Sequence, residues 1–497
     1  MTIKDYVALE SGTVEGLFTL QAAAHAEKTA IICEGEQVSY AELDRVADRV
    51  ATALQRDGVQ PKGVVAICAG SSIAYIATIL GILRAGAVVA PLPAAATAAQ
   101  LSAMVADCGA SHLFQDSDVS FRVDVSVRNI AFDNTGRGDP FAAWLAPEGA
   151  RPAKVGIDPD QPFNIIYSSG TTGTPKGIVQ SQRMRWFIAL RTDPPGYTPE
   201  AITILSTPLY SNTTLTSLIP TLAGGGTIVL MPKFDARRFL QLCEEHRVNV
   251  AMLVPVQYRR ILDVPDFDAF DLTAFHTKFA TSAPFSAELK AEVLRRWPGG
   301  LIEYYGMTEG GGSCMLAAHE HPDKLHTVGQ PIFGNDMKVI DEAGRILPPG
   351  SHGEIVGRSV TMMSGYHNLP EKTQEALWVS PEGLSYVRTG DLGMVDADGF
   401  FTLVGRKKDM IISGGFNIYP IDLERALLSN PAVEEAAVVG APSPEWGETP
   451  VAFVTIKHQA SANAAEIRSL ANAGLGKMQR ITEVRIICPP SAPMAQI

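Results

Sequence analysis

The chain has 497 residues, 46% of them hydrophobic, and a formal net charge of -12. That length points to two to four domains with apolar content enough for real cores, and the acidic balance argues against non-specific nucleic-acid binding, which draws its affinity from a basic face. Six cysteines without a CxxC pair indicate neither a zinc ribbon nor a disulfide framework, so a reducing cytoplasm is the expected compartment.

The first residues, MTIKDYVALESG, carry charge early and lack the apolar stretch and small-residue cleavage site of a secretory leader. Val64 to Leu83 holds no charged residue, but AGSS interrupts it. It reads as strand, turn and buried helix, and no integral membrane segment is expected. The uncharged stretch from Ala94 to Ala99 reads either as a loop or as a helix start. From about residue 60 to 310, strand-like runs such as VVAIC, AVVAPL, ITILSTPL and VNVAMLVP alternate with helical patterns such as ARRFLQLCEEH. This alternation predicts an α/β layer architecture.

Within that region FNIIY reads as a buried strand running into YSSGTTGTPKG, Tyr167 to Gly177. The composition suits an oxyanion-rich ligand. Gly170, Gly173 and Gly177 let backbone amides come close, Ser168, Ser169, Thr171, Thr172 and Thr174 supply hydroxyls, and Lys176 adds a positive charge. A loop at a strand end is the usual ligand position in an α/β sheet. It is not a Walker loop, because Pro175 stands where the second glycine belongs and Gly177 follows the lysine. A plain Gly/Ser/Thr surface turn is the bland alternative, and eleven consecutive suitable residues weigh against it.

Further along, YYGMTE spans Tyr304 to Glu309 after the apolar LIE. Tyr305 offers a face to adenine, Thr308 a donor to a phosphate oxygen, and Glu309 an oxygen ligand suited to Mg2+. Taken alone this would be a strand end with a solvated glutamate. His319, Glu320 and His321, with His326 nearby, match neither HExxH nor a usual zinc spacing and read as a solvated loop. Between about Val328 and Val404 short strands separated by GN, EAG, PPG and DADG predict an antiparallel sheet or small barrel. There TGDLG supplies Asp391, whose two acceptors suit paired ribose hydroxyls. After Gly405 comes GRKKDMIISGGFNIYP, then helix IDLERALLS, strands VEEAAVVGAP and VAFVTIK, helix AAEIRSLANAG and strand EVRIIC, a small α+β domain.

In order, YSSGTTGTPKG, SAPFS, YYGMTE, TGDLG and GRKKDMIISGGFNIYP resemble the adenylate-forming superfamily, which includes acyl-CoA synthetases, peptide-synthetase adenylation domains and firefly luciferase. The resemblance spans nearly the whole chain. It implies a large AMP-binding N-terminal domain over 1–405, built of α/β subdomains plus a small β-barrel, and a mobile α+β lid over 406–497. It also implies ATP, Mg2+ and coenzyme A as ligands of a carboxylate-CoA ligase. The loop from Ser168 to Lys176 would hold the β- and γ-phosphates. Ser282, Ala283, Pro284, Glu303, Tyr304, Tyr305, Gly306 and Met307 would line the adenine site. Thr308 would touch the α-phosphate, Glu309 would bind Mg2+, and Asp391 and Arg406 would bind ribose. Lys408 falls at the hinge, and Ser413, Gly414 and Gly415 would approach the pantetheine arm of CoA.

The resemblance breaks at the last residues, PPSAPMAQI. The family carries a glycine and then a lysine there, and the lysine bridges the carboxylate and the α-phosphate; here Ala495 and Gln496 stand in those places. A glutamine amide donates hydrogen bonds but brings no charge, and loss of such a donor costs about 100- to 1000-fold in rate. Three explanations stay open: an altered terminus, a natural enzyme that recruits another lysine, or a relative kept for binding alone. The first accounts for both departures at once. Adenylation is therefore expected to be crippled, with thioester formation from supplied acyl-AMP intact.

The acyl group is expected near PLYSNTT, with Tyr210 as an aromatic wall and Ser211 and Asn212 small and neutral, and near Gly310 and Gly311, whose missing side chains leave room. No aspartate for a substrate ammonium lies between Leu209 and Leu215. A fatty or aromatic acid is expected, with a short polar acid still open. No carrier domain fits in this length, which favours free CoA as acceptor. A silent nucleotide- or acyl-adenylate-binding relative, an adenylation enzyme with another acceptor and a luciferase-like oxygenase remain rival readings. A homodimer is compatible with the sequence.

Overall fold

The apolar runs of the first three hundred residues are sorted into two sheets. The computed structural model describes residues 2–119, 126–133, 138–168, 176–190, 196–413, 416–444, 446–457, 460, 462–476 and 479–487. By its own packing the chain divides into one unit of Met1–Met337 with Gly357–Val387 and a second of Lys338–Val356 with Arg388–Ile497.

In the first unit a nine-stranded sheet has a parallel centre in the spatial order Thr29–Cys33, Thr227–Leu230, Ile202–Leu205, Val250–Leu253, Thr277–Ala280 and Gly300–Tyr305. Antiparallel strands close its edges: Glu36–Ser39 on one side, Cys314–Ala317 and Gln330–Pro331 on the other. Two of its central strands, Thr227–Leu230 and Val250–Leu253, are buried at every position, which is why they read as nearly continuous apolar runs. The α/β architecture thus begins before residue 60, because Thr29–Cys33 pairs in register Ile31↔Ile228. Strand periodicity carries no information about so distant a neighbour.

The eight-stranded sheet runs Gly365–Tyr366, Lys176–Ser181, Pro162–Ser168, Val88–Pro91, Val64–Cys68, His112–Gln115, Arg128–Ala131 and Asp139–Pro140. Val64–Cys68 is followed by the helix Ile73–Arg84, whose N-cap Ser72 hydroxyl accepts from the Tyr75 amide at 3.2 Å. Most of that helix is buried, so its lack of charge reflects protein packing. The Ala-rich stretch resolves as a helix start at Ala98, with Thr97 and Gln100 exchanging capping hydrogen bonds. Among the described residues no helix is long and apolar enough to cross a membrane.

At the end of Ile73–Arg84, the nearly buried Arg84 guanidinium meets Glu15 at 2.7 Å, Asp44 at 2.6 Å and Asp48 at 2.7 Å. It ties the helices Val14–Ala24 and Tyr40–Arg56 to its own.

The strand Ser385–Val395 pairs antiparallel with Leu377–Val379 in the first unit, and its later residues pair antiparallel with Phe401–Arg406 in the second. The rest of the second unit is the α+β arrangement expected: a sheet ordered Phe416–Ile418, Ile411–Ser413, Gly447–Ile456, Val433–Ser443, with Glu483–Ile486 parallel to Gly447–Ile456. Helices Pro420–Leu428 and Ala464–Ala473 cover an apolar core that includes Ile411, Leu423, Val438 and Ile467.

Replacing Arg84 by Met should leave three carboxylates facing one another without their cation. The expected cost is about 3–5 kcal/mol, read as a lowered urea midpoint, with little change in nucleotide binding.

Candidate active site

Strands Pro162–Ser168 and Lys176–Ser181 pair antiparallel in register Ser168↔Lys176 and Tyr167↔Gly177, so the residues flanking the glycine- and threonine-rich segment are paired in the sheet. Ser169, Gly170, Thr171, Thr172, Gly173 and Thr174 lie outside the described residues, as do Gly414, Gly415 and Gln496. Tyr167 is a strut: its hydroxyl donates to Asp107 Oδ2 at 2.6 Å, and burial together with that carboxylate raises its pKa. A third strand, Gly365–Tyr366, pairs with Lys176–Ser181 in register Tyr366↔Ile178. The His367 amide continues the pairing, donating to the Gly177 carbonyl at 2.7 Å.

This register puts Tyr366 beside both charged candidates of the first unit. Lys176 Nζ lies 5.2 Å from the Tyr366 ring centroid, and the Tyr366 hydroxyl donates to Glu309 Oε1 at 3.0 Å. Among the described residues neither Lys176 nor Glu309 takes part in an ion pair. A half-buried carboxylate held by one neutral donor suits a hard divalent cation, and an ammonium free of carboxylates suits phosphate oxygens.

Three loops leave the nine-stranded sheet where its parallel strands end: Tyr210–Asn212 beyond Ile202–Leu205, Ser282 beyond Thr277–Ala280, and Gly306–Glu309 beyond Gly300–Tyr305. Ser282 has φ +79, a left-handed backbone uncommon for a residue with a side chain. Its hydroxyl bonds to that of Thr213 at 2.6 Å, joining this loop to the first turn of the helix Asn212–Ala223 that follows Tyr210. The Thr308 carbonyl accepts from Gln180 Nε2 at 2.7 Å. Fully buried Arg185 donates to Asn164 at 2.9 Å, to Asn212 at 2.9 Å, and to Gln180. Gln180, Arg185 and Tyr366 had no mark in the sequence: the first two sit in a strand and a helix that read as ordinary packing.

Several candidates are engaged with other parts of the protein. Glu303 is buried and spends its carboxylate on Lys290, whose ammonium also donates to Leu325 O at 2.8 Å and Thr327 O at 2.9 Å. Burial pushes the Glu303 carboxyl up to about 7 against the pull of that lysine. Tyr304 stacks on Phe279 with centroids 5.7 Å apart, and Tyr305 is buried. Tyr210 is partly buried, which raises its phenol pKa. The room read at Gly310 and Gly311 is corrected. A Cβ on Gly310 would lie 1.8 Å from the Thr361 carbonyl oxygen, and one on Gly311 would lie 2.5 Å from Val387 Cβ. With φ of +69 and +84, these glycines serve a close backbone crossing, and their side-chain space is filled by protein.

In the second unit, strand pairing opposes Asp391 to Arg406, with Oδ1 and Nε 3.3 Å apart. The Thr389 hydroxyl accepts from the Asp391 amide at 3.0 Å and donates to Ile355 O at 2.8 Å, fixing the turn. Beneath, buried Glu354 takes Arg388 at 2.6 Å and Lys407 at 3.0 Å. Burial alone would raise the Glu354 carboxyl, but the Arg388 and Lys407 hydrogen bonds and charges outweigh it and hold the pKa below its usual 4.5. Lys408 lies exposed in the turn Lys407–Asp409, 3.9 Å from Asp409, and Ser413 is buried.

The site's geometry thus sets a lysine and a carboxylate, both without ion pairs among the described residues, at the strand ends of two α/β sheets. The sequence model for AMP-binding enzyme matches residues 18–367, and that for the AMP-binding enzyme C-terminal domain matches 422–494. The chain belongs to the AMP-binding enzyme family. It is 34% identical to feruloyl-CoA synthase from Amycolatopsis sp. over 440 residues, covering 86% of this chain and 85% of that protein. Among solved structures it resembles the amide bond synthetase McbA from Marinactinospora thermotolerans, with TM-score 0.84, 27% identity and 95% of each chain covered. It also resembles o-succinylbenzoate CoA synthetase from Bacillus subtilis in complex with ATP and magnesium ion, with TM-score 0.82, 25% identity and 95% of each chain covered.

Two variants test these assignments. Lys290→Met should strand a buried carboxylate at Glu303 and cost about 3–5 kcal/mol in chemical denaturation, most of it restored by adding Glu303→Leu. Because the folded-state pKa of Glu354 is depressed, its stabilisation is full above the unfolded glutamate value and is lost as pH falls through the folded one. Glu354→Gln should therefore be less stable at pH 7 by about 1–3 kcal/mol, with the gap to the unaltered chain closing below the usual carboxyl value of 4.5.

Proposed function

We propose that this chain is a carboxylate-CoA ligase that forms an acyl-AMP from ATP and a fatty or aromatic acid and then a thioester with CoA. The observation that carries the reading is the pair of opposite charges, Lys176 and Glu309, held against one tyrosine where strands of the two α/β sheets end. In the first step a carboxylate oxygen bonds to the α-phosphorus and the bond to the β-phosphate bridge breaks, releasing pyrophosphate. In the second the CoA sulfur bonds to the acyl carbon, loses its proton, and AMP leaves.

Lys176 and the hydroxyls and amides of the preceding loop would bind the β- and γ-phosphates. The charge there spreads over several oxygens, which rewards several converging donors. Glu309 would hold Mg2+, which when bound neutralises charge gathering on the phosphates. Thr308, its carbonyl anchored by Gln180, would present its hydroxyl to the α-phosphate. Asp391 and Arg406 would take the ribose hydroxyls. The lid boundary at 405/406 and a hinge at Lys408 remain part of this reading, supported by an exposed turn at Lys407–Asp409. Gln496, in the place of the family lysine, would make the first step slow. A second reading, adenylation with an amine as acceptor, is favoured by one observation: the likeness to an amide bond synthetase.

Pyrophosphate release across a panel of aliphatic and aromatic carboxylic acids tests the adenylation step that both readings share. Gln496→Lys should raise the first step about 100- to 1000-fold and leave thioester formation from supplied acyl-AMP unchanged; no gain would sink the impaired-adenylation claim. Amide without thioester, when CoA and amines compete, would favour the second reading. Lys176→Met should weaken ATP binding about 10- to 100-fold, the worth of a charge-assisted contact.

A further inference from the structure

Tyr366 touches both charged groups of the first unit's site, and nothing in the reading above gives it a task. It stands on a two-residue strand that is unusually well fixed. The Ser364 amide donates to Val179 O at 2.8 Å and the His367 amide to Gly177 O at 2.7 Å. The Tyr366 amide itself donates to Thr373 Oγ1 at 2.9 Å, and that hydroxyl donates in turn to Leu369 O at 3.0 Å. The phenol is thus carried at a set height above the strand that begins with Lys176.

Its two contacts differ in kind. The ring face, which is electron-rich, lies 5.2 Å from the Lys176 ammonium and attracts it without neutralising it. The hydroxyl donates to Glu309 Oε1 at 3.0 Å, orienting the carboxylate without supplying a cation. Opposite charges that both contact one tyrosine attract each other, and without that tyrosine they would be free to form a direct pair. Such a pair would have to be broken before phosphate could take the lysine and a metal ion the carboxylate.

We propose that Tyr366 is a positioning residue that keeps Lys176 and Glu309 from closing on each other and presents the carboxylate to Mg2+; this rests on the ligase reading. The hydroxyl acts on the metal end and the ring on the phosphate end, so the two roles are separable. A merely structural tyrosine would not separate them.

The test is binding of a non-cleavable α,β-methylene ATP by calorimetry, titrated with Mg2+, in the unaltered chain, Tyr366→Phe and Tyr366→Leu; no turnover is needed. Tyr366→Phe, which keeps the ring, should raise the Mg2+ concentration for half-maximal nucleotide binding about 10- to 100-fold, as expected for one lost hydrogen bond to a charged group. Its affinity at saturating Mg2+ should change less than about 2-fold. Tyr366→Leu should shift the Mg2+ midpoint equally and also weaken binding at saturating Mg2+ by about 10-fold, the worth of a partly desolvated cation–ring contact. An unshifted Mg2+ midpoint in Tyr366→Phe, or equal losses of both kinds in the two variants, overturns the proposal and leaves the ligase reading standing. Failure of the unaltered chain to bind the nucleotide overturns both.

Discussion

Parallel strands all end at the same edge of their sheet, and the segments that follow them must leave together from that edge. In the nine-stranded sheet this brings Tyr210–Asn212, Ser282 and Gly306–Glu309 out beside one another, although long stretches of chain separate them. The Thr213–Ser282 hydroxyl contact at 2.6 Å is the direct sign of that meeting. The eight-stranded sheet supplies the other half through an antiparallel turn of direction, Pro162–Ser168 into Lys176–Ser181, which returns the chain with Lys176 as the first paired residue. Without these two edges the chemically capable residues would be scattered polar side chains on unrelated turns.

The electrostatics divide the charged residues into those already satisfied and those left for a ligand. Lys290, Glu303 and Glu354 are buried and paired, and Arg84 is paired and nearly buried. Breaking such pairs is costly because it leaves a charge without water or partner. Lys176 and Glu309 are half-buried, near an aromatic ring, and free of ion pairs among the described residues. Asp391 and Arg406 fall between, opposed across two strands at 3.3 Å with the arginine largely exposed. Groups of the second and third kinds, each within its own unit, are open to competition from a ligand, and those of the first kind are not.

Motif residues were legible in the sequence because each motif is a local requirement. A loop of glycines, threonines and a lysine, or TGD at a turn, needs only its own neighbours to be read. The strand and helix order of the second unit was equally legible, since alternation and capping are properties of short segments. Three things were not. Gln180 and Arg185 lie in segments whose pattern is that of ordinary packing, and their role exists only because Asn164, Asn212 and the Thr308 carbonyl are brought to them. Gly310 and Gly311 read as open room, whereas the crossing of residues 357–363 and Val387 fills the space their side chains would need. Tyr366 gave no signal at all, because a tyrosine after a glycine acquires meaning only from what it faces.

What the sequence alone determined was membership and chemistry: the order of motifs, the residue types able to meet phosphate, metal and ribose, and the layered α/β class, all of which follow from residues near one another along the chain. The tertiary structure decided which of those residues are spoken for. It gave the Glu303 carboxylate to Lys290, opposed Asp391 to Arg406, and set Lys176 over the face of one tyrosine ring with Glu309 at its hydroxyl. These outcomes depend on strand register and on burial, and both are set by contacts between segments far apart in the chain, where local pattern carries no record of the neighbour.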